Sequence, residues 1–321
     1  MLLGKQWRSL CFMAWWLAVV GSWSSDQTIA ATFRAPLDNT QWQLEESIFE
    51  CTLIQDIPRY GKAVFRHRAG ERVGFKLVSW NRPMQQGDAD LGVIAPAWRF
   101  DQRSKAKGKV PVLGSKEPVV LAGDLPSWMI GQLAQGMYPS FANMSWYGGN
   151  LAEKITVEIS AVNFQQVYPK YINCLSSLLP VNFDQIQRSV VFFDTNKINV
   201  PNNSEQLLDN IAIYIKADSS VKAMYIDGHT DALGRRLSNR ELSKQRAESI
   251  RDYLEKKGVP AEMIVMRFHG ERYPVAKNNT AENRARNRRV TIRLDKEPIK
   301  TQAENKGLPE ETSEQPKPNN S

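Results

Sequence analysis

Three charged residues in the last third of the chain stand where chemistry could be done: Asp231, Arg246 and Arg288. Arg246 falls in 241–257, whose spacing predicts a helix. At about 100° per residue, with Leu242 as origin, Tyr253 falls near 20°, Arg246 near 40°, Ile250 near 80° and Leu254 near 120°. Arg246 therefore sits within the apolar stripe, and a guanidinium facing a core is costly unless paired and hydrogen-bonded. The nearest acid by topology is Asp231, in Gly228-His229-Thr230-Asp231, just past a strand expected over 221–227. Arg288 opens a run in which Val290, Ile292 and Leu294 form the apolar face. Alternation puts Arg288 on that face too, on the same rim as Arg246. An acid with two arginines in one polar pocket suits a zwitterionic ligand. The acid takes an ammonium, and an arginine takes a carboxylate through two parallel hydrogen bonds. A buried Asp–Arg bridge that only orients the helix fits the pattern equally well.

Other chemistries find little support. The three histidines, His67, His229 and His269, are widely separated, and the cysteines form no CxxC. No metal site and no cofactor is expected. His229, Asp231 and Ser243 have the residue types of a nucleophilic triad, but no GxSxG or comparable context is present, and no enzyme is expected. The run Arg284-Ala285-Arg286-Asn287-Arg288-Arg289 reads as a solvated basic edge rather than a nucleic-acid patch.

The elements that must position these residues occupy a chain of 321 residues with a formal net charge of +8, 42% hydrophobic and 24% charged. Those values exclude disordered, collagen-like and multi-spanning membrane chains. The length suggests two domains. No region is strongly basic. Residues 1–30 read as a secretory signal. Lys5 and Arg8 precede an apolar run over 10–21, shorter than the roughly 20 residues a membrane span needs. Small residues follow, and cleavage is expected between 24 and 31. No later stretch is apolar enough to span, so no transmembrane segment is expected in the mature protein. Cys11 would leave with the leader. Cys51 and Cys174 would remain in an oxidising compartment, either bridged or as two buried thiols.

Residues 31–179 look mostly β, with strand-like stretches at 42–54, 62–80, 110–121 and 154–162 and short helices at 126–135 and 166–179. Lone Pro and Gly within the strands suggest a bent, barrel-like sheet. Residues 180–295 change rhythm. Strands at 190–193, 221–227, 264–268 and 289–294 and helices at 202–217 and 241–257 give the order β-α-β-α-β-β. That is an α/β sandwich with two main helices on one face. Residues 296–321, with four prolines among polar residues, are expected to be a disordered tail. The fold class is thus α+β in two domains.

The C-terminal segment resembles the OmpA-like peptidoglycan-binding domain. The matching stretches are Val191-Phe192-Phe193-Asp194-Thr195-Asn196, Gly228-His229-Thr230-Asp231 with Gly234, and Asn239. They continue through Leu242-Ser243-Lys244-Gln245-Arg246-Ala247, Tyr253-Leu254 with Gly258-Val259, and Gly270-Glu271 with Pro274. Asn283-Arg284-Ala285-Arg286-Asn287-Arg288-Arg289-Val290 completes them. The resemblance implies a grip on the diaminopimelate of the peptidoglycan stem peptide. It puts the key acid at Asp231 and the key arginine at Arg246. Asn239 and Arg288 take supporting positions, and the Asp194-Thr195-Asn196 loop flanks the pocket.

The N-terminal segment resembles a narrower family, the MotY-like proteins. The resemblance rests on Trp42, Cys51, Gln135-Gly136-Met137-Tyr138-Pro139-Ser140-Phe141, and Val162-Asn163-Phe164 leading to Cys174. It implies a Cys51–Cys174 disulfide and a periplasmic place in the T ring of a flagellar motor, at a polar basal body. The implied partners are a MotX-like protein, the basal body and the stator complex, with peptidoglycan as the anchor. A general OmpA-family tether between the wall and another envelope partner is the alternative.

Overall fold

The computed structural model describes residues 30–81, 83–145 and 154–297. The expected leader and tail lie outside these residues, apart from Ala30 and the first two tail positions.

In the N-terminal part most inward strand positions are apolar, and the strands pair into two five-stranded sheets. One has the order β2 (Trp42–Glu46), β3 (Glu50–Ile57), β4 (Gly61–Arg68), β5 (Gly74–Ser79) and β8 (Val119–Leu121), all antiparallel. The other has the order β1 (Ala30–Phe33), β10 (Lys154–Glu158), β9 (Tyr138–Met144), β6 (Gly87–Ile94) and β7 (Lys105–Val112), with only β1–β10 parallel. Leu53, Phe65, Phe75 and Leu77 from the first sheet and Leu91, Val110, Phe141 and Val157 from the second share one buried core. Phe75 stacks on Phe141 across it, 5.5 Å between ring centres. The expected barrel-like shape is therefore two sheets over a common core, with no closed barrel among the described residues.

Helix α1 (Asp124–Ala134) precedes β9, and α2 (Phe164–Ser177) follows β10. Phe164, Val167, Tyr171 and Cys174 form the buried face of α2 at helical spacing. Two cross-links fix that face. Cys174 is disulfide-bonded to Cys51 of β3. Just before α2, the fully buried Gln55 amide donates to the Ser160 carbonyl (2.7 Å) and accepts from the Ser160 N–H (2.8 Å). The stretch expected at 42–54 is interrupted by a turn at 47–49, and that at 62–80 by one at 69–73. β6 and β9 were not expected as strands. Asp88 and Asp90 dilute the apolar signal of β6, and Pro139 interrupts that of β9.

After α3 (Phe183–Ile186), the C-terminal part is a four-stranded sheet. Its order is β11 (Arg188–Phe192), β14 (Arg289–Asp295), β12 (Ala223–His229) and β13 (Ile264–Gly270), with only β12–β13 parallel. Helices α4 (Asn202–Ala217) and α5 (Arg236–Lys256) bury Leu208, Ile211, Ile215, Ile250 and Leu254 against Val191, Met224, Ile226, Val290 and Ile292 of the sheet. A short helix not expected from the sequence, α6 (Ala281–Asn287), leads into β14. α5 starts five residues before its expected start. Its first turn exposes Leu237 and so carries no apolar period to read.

The two parts meet at residues 178–187. The Leu179 N–H donates to the Ile48 carbonyl (2.9 Å), and the Asn182 side chain to the Ala69 carbonyl (3.0 Å). The Gln185 side chain donates to the Gly70 carbonyl (2.9 Å), and Arg68 pairs with Asp184 (2.6 Å). Phe49 and Phe183 both lie against Tyr214. Gly70 has φ +70°, and a Cβ there would lie 2.7 Å from the Pro180 carbonyl oxygen and 2.9 Å from Val181 Cα. Gly70→Ala is expected to cost about 1–3 kcal/mol at this joint. The readout is faster chymotrypsin cleavage within 178–183, with both cores still folded by circular dichroism.

Candidate functional site

The site begins with a close approach of backbones. A Cβ on Gly228 would lie 2.1 Å from the Ser243 carbonyl oxygen, so only glycine lets α5 lie this near β12. The buried face of α5 has two halves. Asn239, Ser243 and Arg246 make it polar near the strand ends, and Ala247, Ile250 and Leu254 make it apolar over the core. The Ser243 hydroxyl donates to the Arg240 carbonyl (2.7 Å) and accepts from the Gly270 N–H (3.0 Å). It is engaged on both sides and is no free nucleophile.

Arg246 is fully buried. Its Nε donates to the Lys197 carbonyl and one Nη to the Asp194 carbonyl, both at 2.9 Å; the other Nη reaches the His229 carbonyl at 3.4 Å. The guanidinium lies 5.2 Å from the centre of the Phe193 ring. Among the described residues no carboxylate forms a salt bridge with it. Burial, then the charge of Arg288, push its pKa down to about 10, against the pull of Asp231. It is still a cation at neutral pH, held by carbonyl dipoles and the Phe193 ring with no close counter-ion among the described residues.

The acid expected to meet Arg246 goes elsewhere. Asp231 pairs with Arg288 at 3.0 Å, with both side chains largely buried. Arg288 comes in from the end of α6, one residue before β14, and its Nε also donates to the Phe193 carbonyl (3.1 Å). The second Asp231 oxygen accepts from the Leu233 N–H (3.2 Å). Arg289, expected on the solvent side of its strand, is 6% exposed and donates to the Tyr273 carbonyl (3.1 Å).

Between these groups lies a narrow cavity of about 240 Å³. Thr195, Asn196, Asp231, Asn239, Arg246 and Arg288 all line it. Asn196, in the loop after β11, adopts φ 57°, in the left-handed region. Asn239, 4% exposed, donates to Glu271. Asp194 is brought near in a different way. Its carbonyl holds Arg246, and its exposed side lines a neighbouring cleft. Cys51 and Cys174 belong to the other domain.

Two contributors were not singled out from the sequence. Thr230, 2% exposed, lines the cavity, and its hydroxyl has no hydrogen-bond partner. Its place in Gly-His-Thr-Asp beside the acid was the available signal. Asn287 is fully buried. It accepts from the Val275 and Ala276 N–H groups (2.8 and 3.1 Å) and donates to Asn278 (2.8 Å), whose side chain accepts from the Ala232 N–H (3.2 Å). It thus braces the loop beside Asp231, and nothing in a polar residue among arginines announces that. Among the described residues, no group of three His, Cys, Asp or Glu could hold a metal ion, and no helix is long and apolar enough to cross a membrane.

Two segments of the chain match known families. Residues 192–288 match the OmpA family, and residues 33–180 match the MotY N-terminal domain. Outer membrane protein A of Bordetella avium is 39% identical over 103 residues, 32% of this chain and 53% of that protein. This chain thus spans about half the length of that relative. The peptidoglycan-associated lipoprotein of Burkholderia pseudomallei has a crystal structure that is 29% identical, with a TM-score of 0.32, covering 33% of this chain and 89% of that one. The C-terminal domain belongs to the OmpA family. The chain joins that domain to a segment that matches the MotY N-terminal domain. The sodium-type flagellar protein MotY of Vibrio parahaemolyticus is 28% identical over 259 residues, 79% of this chain and 87% of that protein.

His229 sits behind the cavity, 6% exposed and stacked on His269 with 5.0 Å between ring centres. Burial first, then the charges of Arg289 and His269, push its pKa from 6.5 to about 3. Between those values the unfolded chain binds a proton that the folded chain does not. Stability is therefore full above pH 6.5 and falls as the pH drops toward 3. In urea titrations, His229→Gln is expected to show less loss of stability between pH 7 and pH 5 than wild type.

Proposed function

We propose that the protein is a periplasmic, non-enzymatic component of the flagellar motor that holds peptidoglycan through the Asp231–Arg246 cavity. The observation that carries this reading is Arg246, a buried cation without a paired carboxylate among the described residues, at a cavity that Asp231 also lines. A carboxylate from a ligand would supply the missing counter-charge. The unpartnered Thr230 hydroxyl offers one more hydrogen bond. Asp231 spends one contact on Arg288 and one on a backbone N–H. An ionised carboxylate has about four acceptor sites, so room is left for an ammonium. A group carrying both charges a short distance apart fits this polarity, and diaminopimelate of the stem peptide is such a group.

The motor assignment draws on the N-terminal domain and its likeness to the Vibrio protein. In this reading the leader is removed on export. Residues 31–179 dock on a polar basal body, form the T ring with a MotX-like protein and help recruit the stator. The cell wall supplies the stationary reference that torque requires. Copies arranged in a ring would hold the wall by avidity without tight single sites. A general wall tether shares the cavity chemistry but predicts an even outline rather than polar foci of a fluorescent fusion.

Asp231→Asn keeps the side-chain shape and removes the charge. This variant and Arg246→Ala are each expected to lower co-sedimentation with peptidoglycan sacculi at least about tenfold, with near-ultraviolet circular dichroism checking the fold. Wild-type pull-down by both folded variants would defeat the site. Cells lacking the protein are expected to assemble filaments but swim poorly, and normal swimming would remove the motor role while leaving wall binding intact.

A further inference from the structure

The two N-terminal sheets leave two strand edges open. Among the described residues, β2 pairs only with β3, and β7 only with β6. The two edges lie on opposite sides of the domain. The Leu113 N–H, just past β7, donates to the Pro118 carbonyl, just before β8 (2.7 Å). β8 is the far end of the first sheet from β2. An open edge presents unpaired backbone donors and acceptors, and proteins guard such edges with charge.

The guarding charges differ in sign. On β7 every residue from Lys105 to Lys109 is exposed, and Arg103 stands just before them. β2 ends in the exposed pair Glu45 and Glu46. Each edge has one exception: Asp90 stands opposite Lys109, and Lys170 of α2 lines the groove beside β2. Opposite charges across paired strands stabilise, and like charges destabilise. A β7 edge therefore repels a second β7 edge, and β2 repels β2. A β7 edge attracts a β2 edge.

Apolar surface adds to this match. Trp98 is 51% and Phe100 94% exposed in the turn between β6 and β7. Arg99 holds that turn in place, donating to Asp101 (2.9 Å) and to the Gln135 carbonyl (2.8 Å). Beside β2 runs a groove of about 420 Å³, lined by Trp42 and Leu44 of β2 and by Val167 of α2. It has room for an aromatic side chain.

We propose that β7 of one copy of the protein pairs with β2 of the next, with the β6–β7 turn seated in the groove over α2. Copies then associate head to tail. Such a contact joins two different patches, and it forms a ring when its rotation closes. It rests on the N-terminal domain alone and on no property of the Asp231–Arg246 cavity.

The test uses the mature full-length protein, without Cys11. Ala106→Cys on β7 and Gln43→Cys on β2 add exposed thiols and leave the edge charges in place. A short bismaleimide joins thiols of touching copies and does not react with the Cys51–Cys174 bridge. The double variant is expected to give a ladder of multimers, and a mixture of the two single variants only dimers. Either single variant alone should stay monomeric. Adding Glu45→Lys and Glu46→Lys to the double variant should lower the ladder at least about fivefold, as should adding Phe100→Ser. Lys105→Glu with Lys107→Glu in the Ala106→Cys chain should restore dimers with a Gln43→Cys chain that carries the two glutamate reversals. Near-ultraviolet circular dichroism checks the fold of each variant. Absence of a ladder at the highest soluble concentration would overturn the contact. A ladder unmoved by charge reversal would overturn it too, and dimers from one single-cysteine variant would replace it with a two-fold contact.

Discussion

The C-terminal domain is organised around a cation from which water has been removed. The guanidinium of Arg246 is reached by the carbonyls of Asp194, Lys197 and His229, which come from the loop after β11 and the end of β12. Removing the charge would leave those carbonyls short of partners at the point where loop, strand and helix meet. Keeping it means tolerating an ion in a low-dielectric setting, which the lowered pKa records. The cost is moderated by three dipoles, the face of Phe193 and the distant pull of Asp231. It is not cancelled by a close counter-ion. A residue that destabilises its own fold while shaping a cavity is a common mark of a binding site.

The other parts of the site follow from where that cation must be. α5 can bring Arg246 under the strand ends only because Gly228 has no side chain to hold the helix off. With the guanidinium occupied by carbonyls, Asp231 needs a different partner and finds it in Arg288, delivered by α6 to the start of the neighbouring strand β14. The Asn287–Asn278–Ala232 chain of hydrogen bonds then fixes the loop that carries the acid. Two arginines thus do different work. Arg288 orients the acid, and Arg246 keeps its charge available.

Much of this was legible in the sequence. The helical wheel put Arg246 on the buried face, and strand alternation put Arg288 on the same rim as Arg246. The β-α-β-α-β-β order was readable because each C-terminal element carries its own apolar period. The pairing itself was not, since two arginines compete for one acid and only the loop geometry settles which reaches it. α6 was missed because its arginines read as a solvated edge. Asn287 was missed because its partners are backbone groups of a loop about ten residues away. In the N-terminal domain, β6 and β9 escaped because aspartates and a proline interrupt their alternation, while sheet neighbours supply the burial.

The Cys51–Cys174 bond sits four residues before the segment that joins the domains. A pull on the C-terminal domain would travel down residues 178–187 and arrive at the end of α2. There the covalent link hands it to β3, which lies inside a sheet between β2 and β4. Hydrogen-bonded strands loaded along their length must break many bonds together, whereas a helix end frays turn by turn. The bridge therefore sets where tension enters the fold. It turns the weak end of a helix into a point of attachment on the stiffest part of the domain.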